Sequence, residues 1–485
     1  MSRVRDGAFG VLLFLAALGP RLYVALAWAG EPVWDGHYYD FGARRIAAGL
    51  GYSDDLMLDG QALWHPWCHY PVGYSAFLAF FFRVFGTGAR VAAVVNACTG
   101  SALAVMTWLL AREALPPWRA RLAGLLVAVH PGMILYSALV MTEPLSALLT
   151  LAAFWFASRN ARAPRGLILG GLTLGLAALV RPQTLLCAPF LAMAMPPREG
   201  PSARRAPRVV AGAIVACLLA LVPVLPWTAR NCRVMDGCAL ISTNGGWNLA
   251  IGAFPRATGR FETLRSSDGC SDVTGQVQQD RCWFSYGLRQ INEHRRHWLA
   301  LIPAKLGFTF DHESFAVEYL REARPAAWPE ARRVRARGIV TTFHRALLCV
   351  AAVAFVAIGR RGRRAQHGVP ARGWLPALAQ GGLFLGIAAL GYALNARGTP
   401  TFWPLVLVAA LVPWLPLPGR PHLPIALRLP IVLLASVILT HAVFFGEDRY
   451  HVVVTPVLCL LAAAAFRRPA AGEGAEAQNT SGAPV

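Results

Sequence analysis

The chain has 485 residues, of which 56% are hydrophobic and 15% charged, and its formal net charge is +21. Soluble domains carry about 25% charged residues, so this composition excludes an ordinary water-soluble protein. Apolar stretches long enough to cross a bilayer as helices, about 20 residues each, recur along nearly the whole length. They are continuous rather than alternating, which disfavours an outer-membrane barrel. The sequence therefore predicts one polytopic membrane protein.

Basic residues occur in short clusters between the apolar stretches, and all of them except Lys305 are arginines. The positive-inside rule accounts for such clusters, so we expect no nucleic-acid partner. The first apolar stretch has a signal-peptide-like Ala25-Leu26-Ala27, but Arg21 interrupts it, and we expect an uncleaved helix.

Cytoplasmic arginine clusters predict about twelve transmembrane helices, with both termini inside and two long loops outside. The predicted spans are 8–29, 89–111, 121–139, 142–158, 166–181, 182–197, 208–228, 339–358, 374–394, 401–417, 429–445 and 450–466. The outer loops are 30–88, with a short interfacial helix over 70–86, and 229–338. The predicted fold class is thus an all-α polytopic bundle, in the bacterial inner membrane. Its parts are an N-terminal module (1–228), a periplasmic loop (229–338), C-terminal helices (339–466) and a disordered tail (467–485).

Five cysteines fall in the two outer loops. The close pairs Cys232/Cys238 and Cys270/Cys282 can form disulfides if these loops face an oxidising compartment. Cys68 would then be left unpaired.

The stretch WDGHYYDFGARR, residues 34–45, is unusually rich in titratable groups and follows the first predicted helix. Asp35 falls at the start of a short interfacial helix, where a carboxylate can simply cap backbone N–H groups. However, polar residues of several distant motifs also fall on the outer side of the predicted topology, including Glu143, Arg181 and Arg449. This convergence indicates a functional site.

Several motifs together resemble the GT-C superfamily of polytopic glycosyltransferases, which includes protein O-mannosyltransferases and the lipid A aminoarabinose transferase. They are Asp35 with Tyr39, YPVGY (70–74), TEPL (142–145), RPQ (181–183), STNGGWNLAIG (242–252) and GEDRYHVVVTP (446–456). The resemblance implies a GT-C helical bundle that transfers a sugar from a polyprenyl-phosphate donor to an acceptor hydroxyl on the periplasmic face, with inversion. The acceptor would be a glycan, a lipid or a protein.

The resemblance also implies roles for individual residues. Asp35 is the expected general base, because a hydroxyl is a weak nucleophile, and Glu143 is a second catalytic acid or the start of a helix. Guanidinium groups suit a phosphate leaving group, and Arg449 is the first candidate, with lipid-headgroup contact as its alternative role. The expected substrate-binding residues are Tyr39, Asp40, Arg44 (or Arg45), His69, Tyr70, Arg181, Asn244, Arg397, Glu447, Arg449 and Tyr450.

No cofactor is firmly predicted. His65, Cys68 and His69 allow a divalent metal ion, but they do not form a full ligand set. Walker A and Rossmann fingerprints are missing from the sequence, which favours a lipid-linked rather than a nucleotide-linked donor.

Two other functions are open at this point. A transporter or flippase of lipid-linked sugars would need polar residues near the bilayer midplane, such as Asn96. A non-catalytic scaffold would not need Asp35. The segment STNGGWNL could also be a simple hairpin turn.

Overall fold

The computed structural model describes residues 2–161, 163–195, 205–367, 401–411, 414 and 423–465, and it is predominantly helical. The predicted span 374–394 and the predicted tail lie outside these residues. The helices of the N-terminal part are α1 (Ser2–Trp28), α2 (Asp35–Ala47), α3 (Val72–Phe85), α4 (Ala89–Arg112), α5 (Pro117–Val129), α6 (Pro131–Leu135), α7 (Glu143–Arg159), α8 (Pro164–Val180), α9 (Arg205–Leu221) and α10 (Leu225–Val234), with 3-10 helices Tyr136–Ala138 and Pro182–Ala194.

The remaining described elements follow the same helical pattern. They are α11 (Gly245–Ala253), α12 (Gln276–Glu293), α13 (Arg295–Ala300), α14 (Ile302–Phe310), α15 (Phe315–Ala323), α16 (Glu330–His367), α17 (Trp403–Leu411), α18 (Ile425–Val443) and α19 (Thr455–Ala465), with 3-10 helices Ser266–Asp268, Pro325–Ala327 and Asp448–Val454.

Within the described residues, four helical segments are long and apolar enough to cross a membrane, or up to six if each of two bent pairs is one span. The four are Asp6–Trp28, Ala89–Arg112, Ile425–Val443 and Asp448–Ala465. Several such segments in one chain indicate a multi-pass membrane protein.

Two predicted spans are broken by proline. The helix predicted over 121–139 bends by 54° between Val129 and Pro131, because a proline ring clashes with the preceding turn.

Arg21 is fully buried at this break, and its guanidinium donates to the carbonyls of Val127 and Ala128, both at 2.7 Å. A cation at the end of a helix satisfies carbonyls that have lost their helical partners. The arginine that interrupts the first apolar stretch is therefore a cap for α5.

One large hydrophobic core joins the two halves of the chain. Leu13 of α1, Leu103 of α4, Val127 of α5, Leu434 of α18 and Leu458 of α19 all belong to it. The N-terminal and C-terminal helices consequently form one packed bundle, and this packing brings residues near position 449 next to residues near position 35.

The predicted outer loop 30–88 contains a β-hairpin that the all-α prediction did not include. Strand β1 (Ser53–Leu58) pairs antiparallel with β2 (Gln61–Pro66), with Ser53 opposite Pro66. Asp59 and Gly60 form the turn with positive φ, the conformation that two-residue hairpin loops require.

The predicted outer loop 229–338 is largely helical and contains two disulfides, Cys232–Cys238 and Cys270–Cys282. Cys270 packs in a cluster with Phe254, Trp283 and Tyr450. The end of this loop also differs from the prediction, because α16 begins at Glu330 rather than near 339. The arginine-rich stretch before residue 339 is therefore largely helical.

Candidate active site

A cavity of about 890 Å³ lies where α2, α7, the 3-10 helix Pro182–Ala194, α11 and the segment after α18 meet. Asp35, Glu143, Arg181 and Arg449 all line it, although they are spread over more than four hundred positions of the sequence. Most of the expected site residues contribute to this one cavity. Those in its wall are Asp35, Tyr39, His69, Tyr70, Glu143, Arg181, Asn244, Arg449 and Tyr450.

Asp35 is the first residue of α2, but its carboxylate does not cap that helix. Oδ1 accepts a hydrogen bond from the Tyr70 hydroxyl at 2.8 Å, and Oδ2 accepts one from Nη1 of Arg449. Its neighbour Trp34 has φ 50°, a conformation that is uncommon for residues other than glycine and that is often retained at functional sites. The carboxylate is thus held by side chains from other elements.

Arg449 connects two carboxylates. Besides Asp35, its Nε lies 2.6 Å from Oε2 of Glu447, and only 13% of its side chain is exposed. Burial raises the pKa of Asp35, but the charge and hydrogen bond of Arg449 and the hydrogen bond of Tyr70 outweigh it, so the pKa lies below its usual value. Asp35 is therefore ionised at neutral pH. Burial raises the pKa of Glu447 against the attraction of Arg449.

A second ion pair also lies next to Tyr450. Nη1 of Arg181 donates to Oε1 of Glu143 at 2.7 Å, where the Glu143 side chain is fully buried and that of Arg181 is 13% exposed. The Arg181 guanidinium lies 5.4 Å from the Tyr450 ring centroid and that of Arg449 lies 4.9 Å from it. Tyr450 also stacks on His441 with 4.0 Å between the ring centroids. Two guanidinium groups thus converge beside one aromatic ring.

His69 is an uncharged part of the cavity wall. Burial lowers its pKa to about 4, although Asp35 and a backbone hydrogen bond with Thr243 oppose this shift. Its ring packs edge-on against Tyr70 and Trp247. At neutral pH it can therefore form hydrogen bonds with a ligand in the cavity but carries no positive charge.

The segment STNGGWNL is the start of a helix rather than a hairpin. Asn244 precedes α11, and Oδ1 of Asp280 on α12 accepts hydrogen bonds from the backbone N–H groups of Gly246 at 2.7 Å and Trp247 at 3.3 Å, in the first turn of α11. This cap from the neighbouring helix places Asn244 and Trp247 in the cavity wall.

Some wall residues were not expected from the sequence. Gln183, Asn248 and His441 line the cavity, and Nε2 of Gln183 has no hydrogen-bond partner among the described residues. Gln183 is the third residue of RPQ, and His441 is an ionisable residue inside an apolar stretch, so each carried a signal that could have been used.

Of the expected site residues that the structure describes, three are not in the cavity wall: Asp40, Arg44 and Glu447. Asp40 instead accepts a hydrogen bond from Nε of Arg44 at 2.5 Å, in an i,i+4 pair on α2. Asp40 and Arg44 thus pair with each other outside the cavity wall. Arg45, the alternative to Arg44, pairs with Asp55 of the hairpin at 2.6 Å. Arg397 lies outside the described residues. Glu447 does not line the cavity itself but contacts it through Arg449.

The suggested metal ligands His65, Cys68 and His69 do not converge. Nδ1 of His65 lies 2.7 Å from Oδ1 of Asp54 on the hairpin. Cys68 is buried, with its Sγ 3.8 Å from Oγ1 of Thr243. Only His69 faces the cavity, so this segment does not supply a metal site.

Comparison with known proteins confirms the resemblance to the GT-C superfamily that the motifs indicated. Residues 69–227 match the model of the family described as dolichyl-phosphate-mannose-protein mannosyltransferase. The matched segment contains YPVGY, TEPL and RPQ. No curated protein matches the chain in sequence.

Solved structures of two membrane proteins are similar to this chain at low identity. The apo oligosaccharyltransferase of Archaeoglobus fulgidus is 13% identical with a TM-score of 0.41, and the match covers 95% of this chain and 56% of that one. The same archaeal protein, AglB, in complex with an inhibitory peptide and a dolichol-phosphate is 13% identical with a TM-score of 0.37, covering 96% and 56%. ArnT of Cupriavidus metallidurans bound to undecaprenyl phosphate is 14% identical with a TM-score of 0.35, covering 93% and 76%. The chain thus spans little more than half the length of the archaeal protein.

Proposed function

We propose that this protein is an inverting glycosyltransferase that moves a sugar from a polyprenyl-phosphate donor to an acceptor hydroxyl. The observation that carries the proposal is the convergence of Asp35, Glu143, Arg181 and Arg449 on one cavity. The family match over residues 69–227, whose description names a dolichyl-phosphate sugar, supports the class of donor.

The two guanidinium groups are the candidates for holding the donor phosphate. Arg181 and Arg449 flank the Tyr450 ring at 5.4 and 4.9 Å, so a phosphate beside this ring can reach both. Guanidinium groups in a site that is largely shielded from water stabilise phosphate oxygens strongly. Gln183 adds an amide donor from the same wall.

In the transfer step, Asp35 accepts the proton of the acceptor hydroxyl while the hydroxyl oxygen forms a bond to the anomeric carbon. On the opposite face of the sugar, the bond from that carbon to the phosphate oxygen breaks, and the electron pair leaves with the phosphate as a polyprenyl monophosphate. The arginines stabilise the charge that develops on this leaving group.

Arg449 also explains how a carboxylate with a lowered pKa can act as a base. In the structure it neutralises Asp35 and Glu447. A donor phosphate competes with Asp35 for the same guanidinium, and as Arg449 turns to the phosphate the pKa of Asp35 rises. Donor binding would thereby activate the base.

The wall toward α18 suits the lipid tail of the donor. Leu186 lines the cavity and is 45% exposed. Phe190, further along the same 3-10 helix, and Leu439 of α18 are also exposed. An apolar chain leaving the phosphate between these elements would remain in contact with the bilayer.

We further propose that the cavity faces the periplasm and that the predicted twelve spans and two outer loops hold. Asp35 and Glu143 lie at one end of the helices α1, α4 and α7. The opposite end of these helices carries a group of paired charged residues: Asp6, Arg112, Glu113, Arg121 and Arg159. This basic end fits the cytoplasmic side of a membrane.

The decisive experiment is a transfer assay with purified protein and a panel of polyprenyl-phosphate sugars, built on undecaprenyl and dolichyl lipids. We expect wild type to transfer at least one sugar, and Asp35→Asn to lower kcat by 100-fold or more because it removes the base. Donor KM should stay the same or fall, because the phosphate no longer competes with a charged Asp35 for the Arg449 guanidinium.

Asp40→Asn is the matched control, because Asp40 lies on the same helix but outside the cavity wall. It should keep most of the wild-type rate. If Asp35→Asn retains its rate while folded, the assigned base is wrong. If wild type moves lipid-linked sugars across vesicles without transferring them, the transporter alternative replaces this proposal.

A further inference from the structure

A second group of polar side chains is buried behind the cavity and does not line it. Glu313 lies between α14 and α15, His344 lies in α16, and His451 lies in the 3-10 helix Asp448–Val454. Their exposed fractions are 3%, 0% and 0%. Residues distant in sequence thus place a carboxylate and two imidazoles inside the protein.

These three side chains point one atom each at a common centre. Oε2 of Glu313 is 3.9 Å from Nδ1 of His344 and 3.7 Å from Nε2 of His451. All three atoms lie within 4.8 Å of one another, and none has a hydrogen-bond partner among the described residues. The separations exceed hydrogen-bond length, and leaving buried polar atoms without a partner is unfavourable.

The other nitrogen of each histidine fixes which atom carries the proton. Nε2 of His344 lies 2.9 Å from the carbonyl of Phe310, and Nδ1 of His451 lies 2.7 Å from the carbonyl of Thr309. Because a carbonyl only accepts, these nitrogens carry hydrogen, and the nitrogens facing Glu313 carry lone pairs. Histidines that bind metals are oriented in this way, with the second ring nitrogen bonded to a carbonyl or carboxylate.

A third histidine, next to this group, has the opposite arrangement. Nδ1 of His130 accepts the N–H of Met133 at 3.3 Å, so its Nε2, 3.9 Å from Oε2 of Glu313, carries hydrogen and cannot be a ligand. Gly132 leaves room for the carboxylate, because a Cβ there would collide with it.

We propose that Glu313, His344 and His451 bind a divalent transition-metal ion through Oε2, Nδ1 and Nε2. Two imidazoles and one carboxylate form a ligand set that zinc uses, and the nitrogen ligands disfavour calcium and magnesium. Ligand atoms about 2.1 Å from a tetrahedral zinc lie about 3.4 Å apart, so the two separations from Glu313, 3.9 and 3.7 Å, need to shorten by about half an ångström or less.

The site would position the cavity wall rather than take part in transfer. His451 is two residues from Arg449 in the same 3-10 helix, and the ion would tie that helix to α16 and to the α14–α15 connection. This consequence for Arg449 rests on the proposed function, whereas the binding of the metal does not.

Metal content tests the binding directly. Protein purified without a polyhistidine tag, stripped with chelator and reloaded with zinc should hold about one zinc per chain, measured by inductively coupled plasma mass spectrometry. Glu313→Gln, His344→Gln and His451→Gln should each lower the bound zinc at least tenfold. His441→Gln, a buried histidine outside the group, and His130→Gln should retain it.

Two readouts separate binding from folding and from activity. Zinc should raise the midpoint of thermal unfolding of wild type and of His441→Gln, but not of the three ligand variants. X-ray absorption of the zinc-loaded wild type should show two imidazoles and no sulfur. The proposal is overturned if wild type binds no zinc, if the ligand variants bind it as well as wild type does, or if cysteine holds the ion. A zinc-loaded protein without transfer activity would contradict the proposed function alone.

Discussion

Arg449 is the residue on which the candidate active site depends most. Its guanidinium contacts Asp35, Glu447 and Tyr450 while lying largely buried. Removing one partner from a buried ion pair leaves the other charge uncompensated, at a cost of about 3–5 kcal/mol. Substitutions at position 449 should therefore change the properties of Asp35 as well as the binding of the donor.

The acid limb of the pH profile of kcat/KM should show the effect of Arg449 on the pKa of Asp35. Against the opposing effect of burial, Arg449 lowers the pKa of Asp35, so the ionised base persists as pH falls. Arg449→Gln removes that stabilisation while burial remains, so the pKa rises and the acid limb of kcat/KM moves to higher pH. Arg449→Lys keeps the charge and should keep the limb closer to its wild-type position. Profiles of the three proteins that superimpose would mean that Asp35 is not the ionisation observed.

Gln183 should act on donor binding rather than on proton transfer. Its amide lines the cavity without a partner among the described residues, and a hydrogen bond to a charged group contributes about 1.5–3 kcal/mol. Gln183→Leu should raise donor KM by about tenfold or more and leave the pH profile unchanged. Kinetics over a range of donor concentrations decide this, and an unchanged KM with lowered kcat would contradict it.

The residues that were predictable from the sequence are those in motifs or on the outer side of the topology. Asp35, Glu143, Arg181 and Arg449 were expected to converge, and the structure brings them together. Asp40 and Arg44 were included by proximity in sequence, yet their i,i+4 spacing on a helix already indicates mutual pairing. The buried group around Glu313 could not be predicted, because its alignment depends on how α14, α16 and the last helices pack.

Prolines explain where two of the predicted helices break. The bends follow Val129 and Leu221, beside Pro131 and Pro223, as expected when proline removes a helical hydrogen bond. The hairpin was missed because its strands are largely exposed and SDDLML does not alternate cleanly. Both breaks were missed, because 121–139 and 208–228 were predicted as continuous spans although each contains a proline. The prolines explain the bends, whereas predicting the strands would have required knowing which segment pairs with which.

Arg21 should stabilise the bend between α5 and α6. Its guanidinium donates to three carbonyls, those of Ala17, Val127 and Ala128. Arg21→Leu should lower the free energy of unfolding by about 3 kcal/mol, measured by SDS titration of the purified protein. Arg112→Gln is the control, since Arg112 is exposed and its pair with Asp6 should contribute less than about 1 kcal/mol. Equal effects of the two substitutions would contradict a role specific to the bend.

The two ends of the helical bundle differ chemically. The candidate active site, the hairpin and both disulfides belong to the connections at one end, and disulfides persist in oxidising compartments. The other end carries arginines paired with Asp6 and Glu113. Disulfide chemistry and charge, which are independent of each other, therefore both support the orientation proposed above.

Cysteine labelling of intact spheroplasts tests this orientation. Asp54→Cys is placed on the hairpin and Arg159→Cys at the end of α7, and both native side chains are exposed. In a background with Cys98→Ser, a membrane-impermeant maleimide should label position 54 in intact cells and position 159 only after permeabilisation. The reverse pattern would place Asp35 and Arg449 in the cytosol, where a nucleotide-linked donor would be available. A lipid-phosphate donor at an outward-facing cavity would then lose its support, even if the side chains meet as described.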